Sequence, residues 1–398
     1  MKKLILDFGI EKVSILKVDI KGKGIKVLDC FSLDSSKYYN DSGAIDIKAL
    51  SNDIKEKVGK DATSLDMDIV LPDYMTKTEY RETERVEGLK PDEIKEPYNS
   101  KLNDKLIAFL GDNGKDSTTQ IVFYNKQVLK SFLKEMYKAG LNVVNAISSY
   151  TAYQNTIPVF QSISAEYGGY TSNTSLMVMI GTHNVNCVVF NNNLPVYMKE
   201  CDISLYELFQ TLKAQDGYTR FASLMEEYKE ASPASILAYK KANVAYVSAE
   251  SNTVEAKAER EMEEMMADAF DSSMYSDEPV NKPEETASQR RQNHFISSEV
   301  SLIMNKVCQN IREVADYVSD QYGAATLEVC CNSTVGIRYI EDQLSSIYKI
   351  NSKQDMPSEI NVGDIEIDLS NTNGLKVEFI GCLGEIISGI KKGADFYA

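Results

Sequence analysis

The chain has 398 residues, enough for two domains with cores of their own, and 43% of it is hydrophobic, an ordinary share for a soluble globular protein. It carries 59 Asp and Glu against 43 Lys and Arg, a net charge of −16, which disfavours gripping a nucleic-acid backbone or adhering to an anionic membrane, since both need clustered cations. Two histidines, and seven cysteines (30, 187, 201, 308, 330, 331 and 382) without a CxxC pair, argue against a metal site and point to reduced core thiols.

Residues 3–19 read KLILDFGIEKVSILKVD. Leu4, Ile5 and Leu6 lead into Asp7-Phe8-Gly9, then Ile10-Glu11-Lys12, then a second apolar run over 13–18. Short apolar runs parted by Gly predict a buried hairpin. No signal core opens the chain, and no apolar run nears the roughly 20 residues of a membrane helix. The expected location is therefore cytoplasmic, with any hold on the inner face of the membrane made through a partner.

Leu50, Ile54 and Val58 recur at four-residue steps and predict a helix over 46–58. A strand over 67–71 is stopped by Pro72. Residues 73–140 change character: 80–86 and 92–102 are charge-rich, 119–124 read as a strand with an edge open to an extended peptide, and 125–139 as a helix stopped by Gly140. A strand over 141–147 follows, and 156–173 read as a linker. Residues 175–196, SLMVMIGTHNVNCVVFNNNLPV, then repeat the opening pattern of strand, Gly turn and strand. A strand over 197–203 and helices over 205–212 and 221–230 come next. The acidic stretch 250–285 interleaves Met262, Met265 and Met266 with its carboxylates. It reads as a solvated helix and loop, or as a partner helix with a Met-rich face. A strong apolar period over 297–322 predicts a core helix. A strand over 326–330, a turn and helix over 335–347, and a last helix over 383–392 close the chain.

Twin hairpins opening two halves resemble the actin-like ATPase superfamily. The segments VLPDYMTKTEY and VLKSFLKEMYKAGLNVV, then Ser148-Ser149-Tyr150-Thr151-Ala152, narrow the resemblance to the PilM family of type IV pilus assembly proteins, itself similar to FtsA. It runs nearly end to end and leaves 232–294 unmatched. The resemblance implies an α/β, actin-like two-lobed fold of two RNase-H-like subdomains, with an FtsA/PilM-type subdomain inserted in the first lobe. On that reading 1–72 form the first-lobe core, completed by 375–398, and 73–143 form the insertion. Residues 144–174 return to the first lobe and link onward, 175–220 and 297–374 form the second-lobe core, and 221–296 form a second-lobe insertion.

In that family the two Gly turns grip the phosphates of ATP or ADP with Mg²⁺, and a third turn holds the adenosine. By position this implies Asp7, Gly9 and Lys12 in the first turn, Gly181, Thr182 and Asn186 in the second, and Asn332 and Ser333 in the third. Each turn departs from the family's pattern. Ile10, Glu11 and Lys12 stand where serines are expected, and a carboxylate facing inward would repel phosphate. Met179 replaces the second-turn Asp, and a thioether does not hold hydrated Mg²⁺. Asn332, Ser333 and Thr334 replace three glycines, so side chains crowd the adenosine turn. The expectation is no efficient ATPase, no catalytic residue and no metal ligand. Asp7 and Gly9 read equally as a tight hairpin turn, and His183 reads as a solvent-facing turn residue.

The resemblance implies a cytoplasmic adaptor in a type IV pilus, secretion or competence machine. Its partners would be the N-terminal tail of a PilN-like inner-membrane protein and other pilus-machine components, without nucleic acid or direct membrane insertion, and with room for a homo-oligomer. The alternatives are an active actin-like ATPase that polymerises, and a sugar kinase, which would need a catalytic carboxylate between the lobes.

Overall fold

The structure, a computed structural model, describes residues 1–82, 105–112, 118–166, 174–191, 194–201, 203–214, 220–229, 287–322, 327–351, 355–372 and 374–391. The expectations for 83–104 and for the acidic stretch 250–285 lie outside them. Alternating faces organise the first sheet. In β1 (Lys2–Phe8), Leu4 and Leu6 enter one apolar cluster and Ile5 the other, all fully buried. β1 pairs antiparallel with β2 (Lys12–Lys21), and β2 with β3 (Gly24–Asp34). α1 (Ile47–Val58) begins where the Asp46 carboxylate accepts from the N–H groups of Lys48 and Ala49, at 3.0 and 3.1 Å. It buries Leu50 and Ile54 and leads to β4 (Asp66–Leu71), which adds parallel to β1.

A separate three-stranded sheet follows, formed by β5 (Thr76–Glu82), β6 (Lys105–Asp112) and β7 (Thr118–Asn125) in the order β5-β7-β6. The strand expected to offer an edge, β7, is instead central and paired on both sides. α2 (Lys126–Lys138), capped by the Asn125 side chain, leads to β8 (Asn142–Ser148), parallel to β4. The short helix α3 (Ser149–Gln154) and α4 (Ile157–Glu166) come next. The described part of the expected linker, 156–166, is thus largely helical. Pro158 sits in the first helical turn, where its missing N–H costs no hydrogen bond.

The second large sheet repeats the alternation. In β9 (Thr174–Ile180), Leu176, Val178 and Ile180 join one cluster, and Met177 and Met179 the other. β10 (Val185–Asn191) and β11 (Leu194–Cys201) follow in antiparallel sequence. Two helices, α5 (Leu205–Ala214) and α6 (Phe221–Lys229), precede the long α7 (Ala287–Tyr322), which buries Val300, Met304, Val307, Ile311, Val314 and Val318. β12 (Glu328–Cys331) and β13 (Lys349–Ile350) then add in parallel beside β9, with α8 (Thr334–Leu344) between them. From β3 to β8 and from β11 to β13 the two sheets share one plan, three antiparallel strands followed by two parallel ones.

Residues 359–368, read in sequence as part of the second half, fold back onto the first sheet. β14 (Glu359–Val362) and β15 (Ile365–Asp368) make a hairpin around Gly363, at φ 63°, and β15 pairs parallel with β3. Ile360, Val362, Ile365 and Ile367 are buried there, which gives the hairpin its reason to dock. The last helix, α9 (Ile380–Lys391), packs on β1, β4 and α3. Among the described residues no helix is long and apolar enough to cross a membrane. All seven cysteines are unpaired, and all but Cys30 are buried.

Candidate functional site

The turns after β1 and after β9 face one another across a cleft of about 660 Å³, a volume that includes open solvent. Gly9, Ile10, Gly181, Thr182, Asn186 and Asn332 line it, with Met179, Tyr39, Lys77, Tyr150, Tyr153 and Glu200. Of the residues expected at a site, five meet here: Gly9, Gly181, Thr182, Asn186 and Asn332. Asp7, Lys12 and Ser333 stand outside the lining.

Asp7 ends up beneath the first turn. Its carboxylate is 2% exposed and accepts from the Tyr153 hydroxyl at 2.9 Å, while Oδ1 has no hydrogen-bond partner among the described residues. Burial pushes its pKa up to about 7, against the opposing pull of Tyr153. It packs on α9 at Gly381, where an added Cβ would overlap the carboxylate. Lys12 simply opens β2. Asn332 ties down β9: its side-chain oxygen accepts from Ile180 N at 2.7 Å, and its amide donates to Ile180 O at 3.2 Å. Ser333 is the N-cap of α8, accepting from Gly336 N at 2.7 Å and sharing a hydrogen bond with Tyr228.

Two carboxylates dominate the geometry. Glu11, from the first turn, reaches the N-terminus of α8 in the other half. It accepts from the Ser333 and Thr334 hydroxyls, from Thr334 N at 3.1 Å and from Val335 N at 3.0 Å. Helix N-termini present unpaired N–H groups and a partial positive charge, so they hold anions. Here the anion is a side chain of the protein, 7% exposed.

Asp73, just after β4, does the same for the second turn. Its Oδ1 accepts from Thr182 Oγ1 at 2.8 Å, and its Oδ2 from the N–H groups of His183 and Asn184 at 2.6 and 2.9 Å. Successive N–H groups in such a turn form a concavity for an anion. Gly181 is needed for the approach, because a Cβ there would overlap the Asp73 carboxylate. Burial alone would raise the Asp73 pKa, but hydrogen bonds and charge from His183, with the bond from Thr182, hold it below the usual value. His183 is half-buried rather than solvent-facing, its side chain 20% exposed. Its ring sits between Tyr74 and Tyr206, with centroids 5.2 and 4.6 Å away, and Nδ1 is 2.9 Å from Thr182 Oγ1.

The sequence reading weighed Glu11 only as a charge repelling phosphate and did not single out Asp73. Glu11 stands beside the first Gly turn in sequence, whereas Asp73 follows β4 and stands beside neither turn; the partners they meet lie 322 and 109 positions away. The donors of the second Gly turn are thus taken by Asp73 and those at the start of α8 by Glu11, and Met179 offers the cleft a thioether in place of a carboxylate. The residues present do not fit a triphosphate with its Mg²⁺. Among the described residues no cluster of His, Cys, Asp or Glu is arranged to hold a metal ion.

No protein-family model matches the sequence, and no curated protein is significantly similar to it. Among solved structures, the chain is similar to a PilM–PilN type IV pilus biogenesis complex, with a TM-score of 0.55 and 12% identity over 98% of this chain and 99% of that one. Weaker likenesses, at TM-scores of 0.38 and 0.31, reach the ethanolamine utilization protein EutJ from Carboxydothermus hydrogenoformans and a Bacteroides thetaiotaomicron protein with an actin-like ATPase fold and unknown function. Identities are 10% in both; coverage is 97% of this chain and 89% of EutJ, and 54% of this chain and 77% of the Bacteroides protein. The fold is α/β and actin-like.

Proposed function

We propose that this chain is a cytoplasmic, actin-like scaffold of a type IV pilus or related secretion machine. It binds the N-terminal cytoplasmic tail of a PilN-like inner-membrane protein and meets the membrane only through that partner. The observation that carries the reading is that Asp73 fills the second Gly turn and Glu11 fills the start of α8, the turn expected to hold the adenosine. A fold that keeps both halves but closes one phosphate turn and the adenosine turn with its own carboxylates is retained for its surface rather than for ATP hydrolysis. The whole-length likeness to a PilM–PilN complex supports the same choice. In this reading the two similar sheets are the cores of two RNase-H-like lobes, and the three-stranded sheet is the inserted subdomain of the first.

The tail would add to a sheet edge, where main-chain hydrogen bonds supply affinity without catalytic residues. Strand β5 is the better candidate than β7. Among the described residues it pairs on one side only, and its first residues, Thr76 and Lys77, line the cleft. Basic residues in the tail would meet an acidic chain. The test is co-purification with a PilN-like membrane protein of the same cell. Retention that disappears when the partner's N-terminal tail is deleted supports the proposal; unchanged retention contradicts it. In parallel, Mg-ATP turnover should stay at background in a phosphate-release assay. Steady turnover abolished by Asp7→Ala would favour the ATPase reading instead.

A further inference from the structure

Glu11 and Asp73 stand in one relation to the fold. Each leaves the end of a strand-and-turn in the first sheet and ends on a turn of the second: Glu11 on the segment after β12, Asp73 on the segment after β9. Together they join the two halves at two points. Each satisfies backbone N–H groups that would otherwise be open to a bound anion, and each is buried or nearly so. Further contacts between the halves continue the line. Asp41 accepts from Phe221 N at 3.1 Å, Lys229 is paired with Asp34, and Gly43 packs against Tyr206 and His183. An anion held between two turns draws both toward itself. Here the anions are covalently part of one half.

We propose that Glu11 and Asp73 are built-in anions that hold the two halves closed without any ligand. Closure is then a fixed property of this chain, whereas in a nucleotide-driven clamp it depends on occupancy. The physical ground is the matching of donors to charge. Glu11 meets two backbone N–H groups and two hydroxyls, and Asp73 meets two N–H groups and one hydroxyl. A free phosphate would have to displace a tethered carboxylate of the same sign from each position, at a high effective local concentration. The inference stands whether or not the partner proposed above is the right one.

The test uses the full chain, with Mg-ATP and Mg-pyrophosphate as probes. Hydrogen exchange and small-angle scattering are measured on the wild type and on Glu11→Gln/Asp73→Asn, which keeps shape and removes charge. In the wild type, peptides covering 179–184 and 331–337 should exchange slowly, and neither exchange nor radius of gyration should respond to either probe. In the double variant, exchange in both peptides should rise about tenfold or more, with a larger radius of gyration. A wild type that becomes more compact or better protected with Mg-ATP would overturn the proposal. So would a folded double variant with wild-type dimensions, because the carboxylates would then be local caps and not a clamp. If the double variant does not fold, each single substitution is read by the same two measurements, and the wild-type response to the probes decides independently.

Discussion

The backbone N–H of Val335 donates to the Glu11 carboxylate at 3.0 Å across 324 positions of sequence. The contact joins the first turn of the chain to the first turn of α8, and it leaves no vacancy for a second anion at that helix end. Glu11→Ala would strand the N–H groups of Thr334 and Val335 in a buried setting. The expected loss is about 2–4 kcal/mol in urea unfolding, with a smaller loss for Glu11→Gln, which keeps one acceptor.

Asp73 links the second turn to pH. Its folded pKa lies below the ordinary carboxylate value, so its contribution is fully present above the unfolded pKa and is lost as pH falls through the folded one. Wild type should therefore melt higher than Asp73→Asn at pH 7, and the gap should narrow steadily as the pH is taken below about 4. Thermal melts from pH 7 to pH 3 check this.

Two other carboxylates carry the opposite sign. Burial raises Asp7 to about 7, and burial together with nearby Asp68 raises Glu385 to about 8. The folded chain holds these protons after the unfolded chain has released them, so each group lowers stability as pH climbs from about 4 toward 7 or 8. Asp7→Asn keeps an acceptor for Tyr153 and removes the charge. Relative to wild type it should gain on the order of 1–4 kcal/mol between pH 4 and pH 8. Denaturant titrations at the two pH values give the difference directly.

The seating of α9 depends on Gly384. A Cβ there would overlap the backbone carbonyl of Ala152, which has no room to give, since Ala152 is fully buried. Gly384→Ala should cost about 3 kcal/mol or more and expose the chain's end to limited proteolysis. Gly389→Ala, five residues on, meets nothing within 4 Å and should be close to neutral.

What the sequence made legible follows from the range of the interactions. Apolar runs around Gly9 and Gly181 mark both hairpins, because strand burial and turn residues are local signals. The loss of phosphate chemistry is equally local: Met179, Ile10 and Asn332 are wrong in their side chains wherever they end up. What those turns bind instead is not local. Glu11 and Asp73 look like ordinary surface acids until the fold brings Ser333 and Thr182 to them. The same holds for β14 and β15, each four residues long, too short for a period to show, and for β7, which pairs with β5 further back in the chain as well as with β6. The solvent-facing reading of His183 holds only in part, because a polar turn residue gives no hint that Tyr74 and Tyr206 will pack beside it.

The central claim is that this chain binds a partner tail and that its own carboxylates, in place of a nucleotide, keep its two halves together. The most direct measurement is calorimetric titration of the N-terminal tail of a PilN-like membrane protein into the full chain, with and without Mg-ATP. The account predicts binding on the order of −8 to −10 kcal/mol, micromolar to sub-micromolar, with the same affinity in both conditions. No binding in either condition, or binding that requires Mg-ATP, would contradict it.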